Sequence, residues 1–365
     1  MQAKASAPEY LPALTGLRFL LALWVILHHI AGRGMMLESW TNAQQPEAKK
    51  LVLGGYLAVQ TFFLLSGFVL AKSYARSTWT RHDVVRYVAA RFARIYPVYI
   101  LSLGVVSPFI FGAMMRPTRS IELKAKLLFL YAFVLQGWFG DLGVGWNTPA
   151  WTLSCEFFFY LWFPFLFFGL RRAGKWTTAG VVVLTIVFPV LLAHAGVPWT
   201  WKPIHHLSDF AAGIAAARIY DFLAPRFRGY GAWLYLPALV MGAVLITHPE
   251  LMEGTYGDVN TGLRPLNVMA LVGLALEGGS AARWLAGKSA DFLGKASYSM
   301  YILHVPVLWW YNQWAHEHKL QLPGPAAAAL FLSIVMAVSS ISFLWVEVPV
   351  NRWLRVHVNK WLASH

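Results

Sequence analysis

Residues able to do chemistry stand out here because so little of the chain is polar. Arg18 and His29 lie eleven residues apart in the apolar segment LTGLRFLLALWVILHHI. At 3.6 residues per turn this spacing falls ~20° past three full turns, so the two side chains share one helix face, about 16 Å apart along the axis. Histidine is neutral near pH 7 and can serve as a general base or as a transient acyl carrier. An arginine on the same face can bind an anion, orient the histidine or stabilise a developing oxyanion. The structural alternative has Arg18 snorkelling to one interface and His29 capping the other end of the helix. His28 lies ~100° further round and reads as an interfacial bystander.

Arg91 and Arg94, in RFARIYP, are three apart in a loop leading into a helix, hence neighbours on its surface, and arginine forks suit phosphates. Ordinary basic flanking of a span explains them equally. Glu156 follows Trp151 in WTLSCEFFFY, inside an aromatic run, and must face protein or water or pair with a buried arginine. Tyr298, Tyr301 and His304 lie in SYSMYILH; Tyr301 and His304 share a face, although a satisfied core histidine is the blander account. His205 and Asp209, four apart, are spaced to share a metal, but no third ligand is nominated, and no metal is expected. Glu250, Glu253 and Asp258 read as solvated loop acids. No nucleophile elbow, zinc-protease helix, phosphate loop or dinucleotide fingerprint is present.

The elements that hold these residues must be membrane helices. Hydrophobic residues make up 58% of the 365 and charged residues 13%, about half the charge a soluble surface needs. Apolar runs near 16–31, 51–71, 95–115, 150–169, 176–194, 205–222, 231–248, 263–281, 296–314 and 326–346 each approach the ~20 residues that cross a bilayer. The fold class expected is all-α: a polytopic transmembrane helical bundle of about ten spans. The stretch 127–138 is too short to cross and reads as re-entrant or interfacial. Eighteen Trp and fifteen Tyr suit interfacial belts.

The net charge of +14 is read as positive-inside flanking, not as a nucleic-acid footprint. With the N-terminus inside, 19 basic residues fall in inner segments and 10, Arg264 among them, in outer ones; Arg18 lies within a span. This bias places both termini in the cytoplasm. Arg116, Arg119, Lys124 and Lys126 run against it. The single cysteine, Cys155, permits no intrachain disulfide. The first apolar segment lacks a small-residue cleavage site and is kept as a span. Residues 1–365 are expected to form one transmembrane domain with no appended soluble domain.

In this order and at these spacings, the motifs resemble bacterial acyltransferase family 3, integral membrane O-acyltransferases. The resemblance runs from Leu14 to about Arg355. It rests on Arg18 with His29, on FFLLSGFVLA around Ser66, on RFARIYP, WTLSCEFFFYLWFP and KASYSMYILHVPVL, and on WVEVPVNRWL with Glu347. Ala90 stands where many relatives carry a further basic residue. The resemblance implies ten spans in the bacterial inner membrane and transfer of an acyl group, usually acetyl, from cytoplasmic acyl-CoA to a hydroxyl of an exported or cell-envelope glycan. It implies no permanently bound cofactor; the partners would be acyl-CoA, a free or lipid-linked saccharide and membrane lipids. It makes His29, Arg18 and Glu156 the catalytic set and Arg91, Arg94 and Ser66 the donor-binding set. Trp151, Tyr298, Tyr301 and His304 become the substrate-binding set.

Two rivals remain from the residues alone. A secondary transporter or flippase would use intramembrane Arg, Glu and His to gate a substrate, and normally shows pseudo-symmetric halves, which are not evident here. A non-catalytic membrane scaffold would use the same groups as buried glue.

Overall fold

The computed structural model describes residues 9–75, 79–114, 120–140, 145–252 and 259–364. Lys4, Arg76, Arg116, Arg119, Glu253 and Asp258 lie outside the described residues. Among those described the fold is all-helical, with no strand. In chain order the helices are α1 (Pro12–Ala31), α2 (Glu38–Asn42), α3 (Pro46–Leu53), α4 (Ala58–Ser73), α5 (Arg81–Met114), α6 (Ile121–Ala132), α7 (Trp151–Leu170) and α8 (Lys175–His194). There follow the single turn α9 (Lys202–His205), then α10 (Leu207–Phe227), α11 (Ala232–Thr247), α12 (Val259–Ala275), α13 (Gly279–Leu285), α14 (Lys288–Glu317), α15 (Gly324–Ser342) and α16 (Val348–Ser364).

The expected spans fall on helical segments, although 51–71, 263–281 and 326–346 each run over more than one element and ten separate crossings are not defined. Among the described residues six helical runs are long and apolar enough to cross a membrane: Pro12–Ala31, Pro46–Ser73, Arg81–Gly112, Thr148–Leu170, Lys175–His194 and Gly324–Ser364. A seventh forms if α12 and α13, bent by 76°, count as one broken span. The bend falls at Gly278 and Gly279, whose φ values of 94° and 78° most side chains resist. α10 and α14 cover the stretches 205–222 and 296–314 but carry too many charged, hydroxyl and amide groups to qualify by composition. α11, with 16 residues, is short. α6 has 12 residues, about 18 Å of helix, too little to cross. Leu161 and Phe165 of α7, Val183 of α8 and Val240 of α11 stand exposed, as lipid-facing side chains do.

The chain divides into two compact units. The first comprises Met1–Ser77, Leu161–Pro198 and Ile204–Lys295. In it α10 packs against α4, α8 and α12, α1 against α4 and α13, and α11 against α12. The α4–α10 crossing is set by glycine on both sides. A Cβ on Gly67 would overlap the Phe210 carbonyl, and one on Gly213 would overlap the Leu64 carbonyl. Without water to drive association, such backbone-to-backbone approach is what holds membrane helices together. Gly67→Val is therefore expected to abolish the monodisperse folded peak in detergent chromatography. Gly104→Ala, whose Cβ meets nothing within 4 Å, should leave that peak unchanged.

The second unit comprises Thr78–Tyr160, Trp199–Pro203 and Ala296–His365. α16 lies along α5. Between α15 and α16 the helix passes through a π segment, Phe343–Glu347, an insertion frequent at functional sites. The start of α7 is latched to the turn before it: Gln136 Nε2 donates to the Ala150 carbonyl at 2.7 Å and the Gly137 N–H to Ser154 Oγ at 2.9 Å.

Candidate active site

The first unit carries Arg18, His29 and Ser66. α1 begins with a proline in its first turn and continues through residues that all tolerate a helix, so Arg18 and His29 share a face by helical geometry alone. Both side chains are half-buried. At the C-terminal end of α1 the two histidines take different roles. His28 Nδ1 donates to the Leu53 carbonyl at 2.6 Å, and Trp24 Nε1 donates to the Leu51 carbonyl at 2.7 Å, so this residue pair ties α3 to α1. His28, read from sequence as a bystander, is a structural tie. His29 Nδ1 lies 2.9 Å from the Val25 carbonyl on its own helix. A carbonyl only accepts, so in the neutral ring the proton sits on Nδ1 and the basic lone pair on Nε2. Ser66 is half-buried on α4, next to Gly67 at the α4–α10 crossing.

The same unit holds a buried charge cluster that the sequence did not disclose. Asp209, 1% exposed, accepts from Arg264 Nε at 2.6 Å, His206 Nδ1 at 2.9 Å and Gln60 Nε2 at 3.0 Å. Arg264 also donates to the Thr185 carbonyl at 2.7 Å. Two expectations are corrected here. Arg264 is not an outer-loop charge but a buried residue of α12. The partner of Asp209 is His206, three residues away, while His205 Nε2 lies 3.1 Å from the Pro198 carbonyl. Among the described residues no three His, Cys, Asp or Glu side chains gather to hold a metal.

Lys72, at the C-terminal end of α4, lies 2.7 Å from Asp221 and 3.3 Å from Glu9. Partial burial works to raise the Glu9 carboxyl. Hydrogen bonds from Tyr220 and Arg228, with the Lys72 charge, outweigh it and leave Glu9 below the ordinary carboxylate value.

The second unit carries the other expected residues. Arg91 and Arg94 sit not in a loop before a helix but ten or more residues inside α5, which starts at Arg81. The polar run 81–94 is helical because nothing in it breaks a helix; its charge had disguised it as a loop. Arg94 Nη1 lies 3.2 Å from Glu347 Oε1, with Glu347 2% exposed in the π segment and its other oxygen accepting from Ser299 Oγ at 3.3 Å. Glu347, quoted in a motif but given no role, is thus the partner of Arg94. The ring of Tyr298 lies 5.8 Å from the Arg94 guanidinium, and its hydroxyl donates to the Ile95 carbonyl at 2.6 Å. Arg91 lies over the Tyr160 ring at 5.6 Å; its Nε is buried without a hydrogen-bond partner among the described residues, and no carboxylate pairs with it there. Tyr160 donates to Glu156 Oε2 at 3.3 Å. Two arginines, two carboxylates and two tyrosines therefore meet in one layer.

One and a half turns along α7 from Glu156 lies Trp151, with the Lys202 ammonium over its ring at 4.2 Å. Tyr301 reaches the Pro149 carbonyl at 3.4 Å, and His304 Nδ1 donates to the Tyr301 carbonyl at 2.7 Å. His304 is fully buried. Cys155 is buried and reduced.

Comparison with known proteins adds a family. The acyltransferase family 3 profile, described as an acyltransferase domain, matches residues 11–345. The chain is 27% identical over 372 residues to acyltransferase MdmB of Streptomyces mycarofaciens, covering 94% of this chain and 92% of that protein. It is 22% identical over 376 residues to O-acetyltransferase OatA of Staphylococcus aureus, covering 96% of this chain and 58% of the relative. It is 22% identical over 381 residues to peptidoglycan O-acetyltransferase OatA of Listeria monocytogenes, covering 94% and 56%. The chain thus spans somewhat over half the length of the two OatA proteins. No solved structure matches.

Proposed function

Because this chain belongs to acyltransferase family 3 and is an O-acyltransferase of a multi-pass membrane type, we propose that it moves an acetyl group from cytoplasmic acyl-CoA to a hydroxyl of a cell-envelope glycan. The observation that carries this reading is the His29 hydrogen bond, which puts the ring proton on Nδ1 against the Val25 carbonyl and the basic lone pair on Nε2. Nε2 takes the proton of the acceptor hydroxyl; the oxygen attacks the thioester carbonyl; the CoA thiolate leaves and recovers the proton from the imidazolium. Arg18, on the same face, stabilises the oxyanion formed in between. Arg91 and Arg94 receive the nucleotide phosphates: Arg91 is a half-buried cation without a carboxylate partner among the described residues, and Arg94 is held in place by Glu347. Glu156 orients Tyr160 beneath Arg91.

The topology that goes with this reading has ten spans in a bacterial inner membrane and both termini in the cytoplasm, so that the α5 arginines face the CoA pool. It fits the excess of basic residues in the expected inner segments. The glycan acceptor rests on the OatA relatives, one of which is named for peptidoglycan.

The reading is tested with reconstituted protein, radiolabelled acetyl-CoA and a pool of free and lipid-linked glycans. Label should appear in glycan. Transport of glycan without consumption of acetyl-CoA would instead establish the transporter alternative. Within the same assay, Arg91→Ala should raise the KM for acetyl-CoA by about tenfold or more, the loss expected for one charge-assisted phosphate contact. Its kcat should change far less, and an unchanged KM would remove Arg91 from the donor site.

A further inference from the structure

At the start of α7 the second unit contains a pocket of about 190 Å³, walled in part by Tyr131, Gln136, Gly145, Thr148, Trp151 and Lys202. Its polar groups are arranged for a ligand rather than for one another. Lys202 is half-buried, and its ammonium rests on the Trp151 ring at 4.2 Å. Among the described residues no carboxylate lies within ion-pair distance of it. Burial lowers its pKa, opposed by Cys155, and no carboxylate among the described residues offsets that burial. Gln136 is pinned by its Nε2, which donates to the Ala150 carbonyl, and this fixes which amide atom is the oxygen. Its Oε1 is buried with no hydrogen-bond partner among the described residues. An unmet acceptor of this kind is costly and is normally satisfied by a ligand or a bound polar group. Tyr131 is already engaged: its hydroxyl accepts from the Trp146 N–H at 2.8 Å. Thr148 and Gly145 complete this part of the wall.

The pocket is large enough for one pyranose ring. A broad indole face favours stacking on the carbon skeleton of such a ring. The Gln136 oxygen, with no hydrogen-bond partner among the described residues, favours a hydroxyl donor, and the Lys202 ammonium, with no carboxylate beside it among those residues, favours a carboxylate. We propose that this pocket is the acceptor subsite and that it selects a sugar ring bearing a carboxylate, with Lys202 as the residue that reads the charge. Trp151 and Arg91 lie toward opposite ends of the α7 stretch Trp151–Tyr160, about 14 Å along the helix. Within this unit an acidic sugar at one end and an anionic donor at the other are thereby kept apart. As an acceptor subsite the pocket rests on the transferase reading; as a binding site for an acidic sugar it does not.

The test measures equilibrium binding of glucuronate and of glucose to the full chain in nanodiscs, by saturation-transfer NMR, beside acetyl-CoA consumption by the same preparation. Wild type should bind glucuronate at least tenfold more tightly than glucose. Lys202→Gln should erase that preference, Lys202→Arg should keep most of it, and Trp151→Ala should weaken both sugars. The Arg and Gln variants are compared only after both show the wild-type chromatographic peak; if Lys202→Gln does not, Trp151→Ala carries the test through the loss of both sugars. Equal affinity for the two sugars in wild type, or a preference that survives Lys202→Gln, would overturn the proposal. Acetyl-CoA consumption without any glucuronate preference overturns the pocket alone. Glucuronate preference without acetyl-CoA consumption, whatever acceptor is supplied, leaves the pocket standing and overturns the transferase reading.

Discussion

His29→Ala is expected to lower acetyl transfer by about 10²–10⁴-fold while the protein remains folded. The reason lies in what each nitrogen does. Nδ1 bonds a carbonyl of the same helix, four residues back. Nε2 is the atom the chemistry needs. His28 provides the internal contrast, because its Nδ1 bond to Leu53 joins α1 to α3. His28→Ala should therefore reduce thermal stability in detergent and leave the turnover of the folded fraction near that of wild type. His29→Asn sharpens the test: an amide can still donate to Val25, keeps most of the shape and cannot accept a proton. Transfer lost in His29→Asn with an unaltered melting curve would identify a proton-transfer or nucleophilic role. Transfer retained there would remove His29 from the chemistry. Trapping of an acyl adduct on His29 would replace the general-base step by one in which Nε2 itself attacks the thioester.

Much of this site could be read from the chain because helical spacing is local. The shared face of Arg18 and His29, the neighbouring Arg91 and Arg94, and the aromatic helix around Glu156 all follow from residues within a few turns of one another. What the chain concealed was long-range. Asp209 and Arg264 are 55 residues apart, and each alone looks like an interfacial charge at the start of a span. Arg94 and Glu347 are separated by 253 residues, and nothing local pairs them. A usable signal did exist: opposite charges inside two apolar segments neutralise each other more cheaply than either can be buried alone. Polar composition also misled at 81–94, where flanking charge reads as loop although every residue there tolerates a helix. The same effect explains why α10 and α14 fall short on composition. Several of their polar groups, Asp209, Tyr298 and Ser299 among them, bond to neighbours within the protein, which hydropathy does not register.

The buried cluster at Asp209 leads to the second large effect, this time on folding. Asp209→Asn keeps the shape and an acceptor oxygen but leaves the Arg264 guanidinium, 4% exposed, without its counter-charge. Breaking a buried pair from one side typically costs about 3–5 kcal/mol, a large part of the ~5–15 kcal/mol that holds a typical domain together. Asp209→Asn and Arg264→Met should each strongly reduce the folded yield and the detergent melting temperature. The loss should reach α4, α8 and α12, because Gln60, Thr185 and Arg264 supply the bonds that converge with Asp209. The double variant Asp209→Leu with Arg264→Met removes both charges and should be more stable than either single variant, since the pair's attraction mainly offsets its own desolvation. His206 should then lose its dependence on Asp209. If Asp209→Asn instead melts like wild type but transfers no acetyl, the cluster belongs to the reaction rather than to the scaffold. Asp209 would then be holding His206 for proton transfer, as a carboxylate orients an imidazole in a catalytic pair.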